Sequence, residues 1–260
     1  MGLLIAACAI AASEPVSARI LKTRPSASST WSPLAPLTIG GGFEFETDSE
    51  QSEYDFPLLA EYNFSETFKL TIEPNIVDIV SKSEDVRSVV GLDDLETSVE
   101  YEFLPERRYR PALTAEGLIK WPTATDPDIG APGTDFAVGI IASKDLVFID
   151  FDLNLLYTFV GDPEQQNTLE VSLAAELPLD RFVSLEAEIV TTTGTGGIRG
   201  QPGTIGGLGG AGGNGSETEG TVGFAWRVNK HLKLEQGLVL RDDQSWQLVS
   251  AWEWSFAGED

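Results

Sequence analysis

Polar and apolar residues alternate with period two along most of this chain. In Leu95-Glu96-Thr97-Ser98-Val99-Glu100-Tyr101-Glu102-Phe103, odd positions suit lipid and even positions are polar. The stretch from Val147 to Phe159 sets Val147, Ile149, Phe151, Leu153, Leu155, Tyr157 and Phe159 on one face, against Asp150, Asp152 and Asn154 on the other. Leu169 to Leu177 opposes Glu170 and Glu176, and Val183 to Ile189 opposes Glu186 and Glu188. Such alternation is the mark of strands with unlike faces, because successive Cβ atoms point to opposite sides of a sheet.

The pattern predicts strands near 38–47, 54–64, 67–80, 93–104, 111–122, 134–144, 146–160, 166–178, 182–193, 216–228, 231–241 and 246–256. Most run to ten residues or more. Globular strands average about five to six residues, whereas a tilted strand needs about nine to eleven to cross the hydrocarbon layer. Length therefore points to an all-β fold, a transmembrane up-and-down antiparallel β-barrel of about 12 strands. The alternative is a soluble secreted β-sandwich binding protein.

The connections support the barrel. Short ones (65–66, Asp145, 179–181, 229–230, with 105–110 the exception) alternate with longer ones at 48–53, 81–92, 123–133, 161–165 and 194–215. Short periplasmic turns and long extracellular loops are the habit of transmembrane barrels. Aromatics gather at strand ends as two interface rims. Phe45, Tyr54, Phe56, Trp121, Phe136, Tyr157, Phe159 and Trp246 form the outer one; Tyr62, Phe64, Phe68, Tyr101, Phe103, Trp226, Trp252 and Trp254 form the periplasmic one. The last strand ends on Phe256, as outer-membrane proteins commonly do, with a short tail at 257–260.

Composition adds charge to this picture. The chain has 41 Asp and Glu against 17 Lys and Arg, a formal charge of -24. Nucleic acid is excluded as a partner, since binding it requires Lys and Arg to neutralise phosphates. The single cysteine, Cys8, rules out an internal disulfide framework. No run of eighteen apolar residues predicts a membrane helix. Residues 1–18 read as a signal peptide with an apolar run from Leu3 to Ala12, and 19–37 as a flexible N-terminal arm before the barrel at 38–256.

The middle of the chain resembles a known family. Gly91-Leu-Asp-Asp-Leu-Glu-Thr-Ser-Val-Glu-Tyr-Glu-Phe-Leu104, Pro111 to Thr123, Gly133 to Lys144 and Leu155 to Pro163 are similar to segments of the transporters named for the MetA pathway of phenol degradation. The resemblance implies an outer-membrane barrel with a transport role, with no catalytic motif to carry over. The heavy glutamate content and the Gly-rich segment depart from that family's pattern.

Candidate chemistry is concentrated on the polar faces. If the apolar positions meet lipid, the lumen is lined by Glu96, Glu100, Glu102, Glu116, Lys120, Asp150, Asp152, Glu170, Glu186 and Glu188. Rings of carboxylates favour cations over anions. The expected function is passive passage of small neutral or cationic solutes, aromatic ones among them, with outer-membrane lipid and the solute as partners. The rival is a plugged or scaffold barrel binding a partner through its long loops. The oligomeric state is not set by the sequence.

Other chemistries fit poorly. The lone histidine, His231, falls in a short turn and has no second histidine to work with. Zinc lacks ligands, and Asp126-Pro-Asp128 and Asp242-Asp243 lack calcium-loop spacing. The Gly-rich extracellular loop at 194–215 lacks the Lys and Ser or Thr of a phosphate loop. It reads instead as a linker able to fold over the pore mouth. Paired carboxylates such as Glu186 and Glu188 could suggest a glycosidase, but the same pattern recurs on several strands. No enzyme activity and no cofactor is expected.

Overall fold

The computed structural model describes residues 36–47, 51–81, 88–126, 129–131, 133–162, 165–194, 216–242 and 245–256. The proposed signal peptide, most of the arm and the Gly-rich segment lie outside these residues. Among the described residues every regular element is a strand. The strands are β1 (Leu37–Thr47), β2 (Gln51–Ser65), β3 (Phe68–Glu73), β4 (Asn75–Ser81), β5 (Ser88–Leu92), β6 (Leu95–Leu104) and β7 (Ala112–Trp121), followed by β8 (Asp135–Asp145), β9 (Asp150–Phe159), β10 (Thr168–Pro178), β11 (Val183–Thr193), β12 (Ser216–Arg227), β13 (Leu232–Arg241) and β14 (Trp246–Phe256).

These strands make twelve barrel staves. Pro74 splits one stave into β3 and β4, since proline has no N–H for the ladder. Asp93 and Asp94 split the next into β5 and β6. The wall stays bonded across both breaks: Leu58 N–H donates to Pro74 O at 2.9 Å and Asp93 N–H to Asn75 O at 3.0 Å. β2 spans both halves, pairing with β3 and β4. Each further stave pairs antiparallel with its sequence neighbour, and β1 pairs with both β2 and β14. That last pairing closes the barrel. Closure satisfies every edge internally, as a bilayer demands.

Parity decides the two faces. Ile39, Leu58, Val99, Leu155, Leu173, Val222 and Trp252 on the outside are each more than a third exposed. The alternate residues are buried and mostly polar. An outward apolar band over a polar interior is stable only with lipid around it. Aromatic clusters mark its borders. Phe45 meets Tyr54 at 5.1 Å and Trp246 edge-on at 5.6 Å near one end, while Tyr62, Phe64 and Phe68 pack at 4.8 and 5.5 Å near the other.

Three boundaries differ from the alternation, the first being β2, which begins at Gln51 inside the connection expected at 48–53. Ser88–Leu92, expected in a loop, is strand β5 against β4. Val147 to Ile149, expected in a strand, belong to a turn. β8 runs on to Asp145, which pairs with Asp150, and Leu146 N–H donates to Ile149 O at 3.1 Å. Asp145 Oδ1 accepts the Val147 N–H, and Val147 takes φ 75° to make the reversal. Local hydrogen bonding overrides the hydrophobic alternation there.

Candidate functional site

Inter-strand register arranges the interior charges in rows. In one, Lys69 on β3 stands beside Glu100 on β6, then Glu116 on β7, then Gly139 on β8. Lys69 Nζ lies 2.7 Å from Glu100 Oε1. In the second, Glu73, Glu96, Lys120 and Asp135 follow one another across β3, β6, β7 and β8. Lys120 Nζ reaches Asp135 at 2.7 Å and Asp94 at 3.7 Å. The third row holds only carboxylates: Asp145, Asp150, Glu176 and Glu186, across β8 to β11.

A lysine reaches that third row from two staves away. Lys233 on β13 pairs with Glu235 on its own strand at 2.6 Å and with Glu186 on β11 at 3.5 Å. The intervening β12 places Gly223 and Ala225 on that face, so little side chain obstructs the reach. A Cβ on Gly223 would come within 2.7 Å of the Gln236 carbonyl oxygen. In each row carboxylates outnumber cations. Elsewhere on the inner face, Ser143 donates its hydroxyl to Asp152, and Glu170 and Glu188 occupy neighbouring staves. Glu102 lies closer to the short-turn end on β6.

The interior is not wholly polar. Val239 packs with Val249, and Leu59 with Ala251, as small apolar islands. Ile141 and Leu156 are also buried on the inner face.

Arg241, which is not among the lumen residues expected from the alternation, organises the long-connection end. Its guanidinium pairs with Glu46 on β1 and with Glu219 on β12, and donates to Gln247 Oε1 on β14 at 3.2 Å. Gln247 in turn donates to Glu44. Arg241 has the parity of Lys233, eight residues earlier, which is the signal that would have found it.

A second feature that the alternation did not show is the connection between β7 and β8. Its described residues turn into the mouth and are held by the wall. Asp94 Oδ1 accepts the Ala124 N–H at 3.0 Å, and its Oδ2 accepts the Ala131 N–H at 3.1 Å. Thr125 N–H donates to Leu92 O, and its hydroxyl accepts the Leu92 N–H, both at 2.9 Å. Ile129, only 1% exposed, packs on Val77 and Val89. Two glycines make the fit possible. A Cβ on Gly91 would fall 2.3 Å from Thr125 Oγ1, and one on Gly130 would fall 2.2 Å from Ala124 Cβ. The neighbouring connection is tied similarly: Asp135 accepts the Gly161 N–H at 2.8 Å.

His231 lies at the opposite end. Its Nδ1 is 2.9 Å from Ser255 O and its ring stacks on Trp254 at 5.6 Å. These contacts close a turn onto the last strand.

The same closed wall occurs in solved structures. An outer membrane channel from Pseudomonas putida F1 superposes with a TM-score of 0.69 at 12% identity, over 87% of this chain and 97% of that one. The fold is that of an outer-membrane barrel. The NanC porin matches with a TM-score of 0.59 at 11% identity, over 85% of this chain and 100% of that one. The KdgM porin gives 0.56 at 10% identity, over 84% and 99%. No family model and no curated protein sequence matches the chain. The MetA-pathway resemblance therefore rests on the quoted segments alone.

Proposed function

We propose that the protein is a passive channel of the Gram-negative outer membrane, taking small neutral or cationic solutes, aromatic ones among them, through an acidic interior. The observation that carries this reading is the excess of carboxylates over cations in each interior row. Glu96, Glu100, Glu102, Glu116, Asp150, Asp152, Glu170, Glu186 and Glu188 form the cation-attracting wall, and Lys120 is the cation that balances it near the mouth. Fixed negative charge in a low-dielectric enclosure concentrates cations and repels anions. Residues 1–18 serve as the export signal, and the short turns face the periplasm.

The likeness to channels at 10–12% identity supports the fold, and the charge rows supply the argument for selectivity. A planar-bilayer recording of the purified, refolded protein under a salt gradient tests it. Discrete steps with a reversal potential of cationic sign are expected. Steps of anionic sign overturn the reading.

A second reading has its own observation. The inward β7–β8 connection with buried Ile129 narrows the mouth, as a plugged scaffold barrel would require. Silence from folded protein, persisting when Asp94 is replaced to free that connection, would favour the scaffold.

A further inference from the structure

Charge is distributed unevenly between the two ends of the barrel. The connections at 48–50, 82–87, 122–134, 160–167, 194–215 and 242–245 carry ten Asp and Glu against three Lys and Arg. The turns at 66–67, 105–111, 146–149, 179–182 and 228–231 carry Arg107, Arg108, Arg110, Arg181 and Lys230 against only Glu66, Glu106 and Asp180. In a chain of formal charge -24, these short turns are themselves net basic, although Asp145 and Asp150 flank the 146–149 turn.

The arginines are concentrated beside an unusual apolar tip. Arg107 and Arg110 exchange backbone hydrogen bonds at 2.9 and 3.0 Å, which makes a tight reversal with Arg108 and Tyr109 at its apex. Arg108 lies over the Tyr109 ring at 5.2 Å, and Tyr109 is 86% exposed. The next turn along the rim holds Leu146, Val147 and Phe148, with Val147 83% and Phe148 77% exposed. Glu106 joins the two turns by pairing with Lys144 and accepting the Asp145 N–H at 3.5 Å.

Val147 makes this tip informative. A β-branched residue at φ 75° is strained, and its exposed side chain recovers nothing by packing within the chain. Water is also a poor environment for three consecutive apolar side chains. At the headgroup boundary of a bilayer the same tip is favourable, with Val147 and Phe148 toward the acyl region and guanidinium groups among phosphates. The geometry points to a binding site for an anionic phospholipid of the inner leaflet, formed by Arg107, Arg108, Arg110 and Tyr109 with the Leu146–Phe148 tip. The occupant follows from position and charge: lipid surrounds the barrel at this height, and guanidinium forks match phosphate geometry. The site rests on the outer-membrane orientation, with short turns inward, and is independent of whether the pore conducts.

The test uses the full chain reconstituted in phosphatidylcholine vesicles containing a graded fraction of phosphatidylglycerol, followed by native mass spectrometry of retained lipid. Wild type should retain phosphatidylglycerol in preference to phosphatidylcholine, and R107Q/R108Q/R110Q should lose that preference. R181Q/K230Q, on the same rim, should keep it. Folding is checked by heat-modifiable migration; if the triple variant fails to fold, R108Q carries the comparison. Equal preference in wild type and the arginine variant, or equal loss in R181Q/K230Q, overturns the site.

Discussion

Asp94 on the barrel wall accepts the backbone N–H of Ala131 at 3.1 Å, across a connection that would otherwise lie outside the mouth. Its other carboxylate oxygen takes the Ala124 N–H, so one side chain holds both arms of the β7–β8 connection. Asp94→Ala removes both bonds and the ion pair with Lys120. The connection should detach, and single-channel conductance should rise. The lost bonds to a charged acceptor should also lower stability by about 1–3 kcal/mol. Asp94→Asn, which keeps one carbonyl acceptor, should fall between. Conductance no higher than wild type in a folded Asp94→Ala barrel would remove the connection as the constriction.

Lys233 is the counter-charge for two carboxylates at once, Glu235 at 2.6 Å and Glu186 at 3.5 Å. All three are largely enclosed. Lys233→Met removes the cation that Glu235 and Glu186 share. The barrel should lose roughly 3 kcal/mol, as when one partner of a buried pair is removed. The triple change Lys233→Met, Glu235→Gln, Glu186→Gln should recover most of it. Urea unfolding in detergent micelles reads both, and no recovery in the triple variant would argue against the pairing as the cause.

Val147 spends its backbone freedom on a turn that suits a different residue. Val147→Asn places a side chain tolerant of positive φ at the apex. In micelles, where no anionic lipid competes for the tip, the variant should unfold later by about 1 kcal/mol. A lower midpoint would show that the valine packs more usefully than its exposure suggests.

The barrel was legible because its determinants are local and repetitive. Period-two parity assigns Glu96, Glu100 and Glu102 to one face without any knowledge of neighbours, and strand length separates a membrane wall from a sandwich. Parity breaks where a side chain bonds its own backbone, which is why Asp145 turned the chain at Val147 against the hydrophobic pattern. The site was legible only by half. Alternation gives the inner face of each strand, but Lys233 reaching Glu186 over Gly223 depends on which staves are adjacent and in what register. The Asp94 anchor was still less visible. It needs two backbone amides from a connection whose sequence has no period, and the clearance that Gly91 and Gly130 leave becomes apparent only when Thr125, Ile129 and Ala124 are seen against them.

The row of Asp145, Asp150, Glu176 and Glu186 is where the proposed cation selectivity can be tested most directly. Among the described residues its ion-pair partner is Lys233, which Glu235 also holds. Neutralising Glu176 and Glu186 together with Glu188 as glutamines removes three negative charges while leaving the Lys233–Glu235 pair in place. The fold should persist, because glutamine keeps the hydrogen-bonding shape and no charge is stranded. The reversal potential should move toward the unselective value, while Lys233→Met in the same assay should move it toward stronger cation preference. Opposite shifts from the glutamine and methionine changes would tie selectivity to these charges. Shifts of the same sign, or none, would place the selective region elsewhere along the barrel.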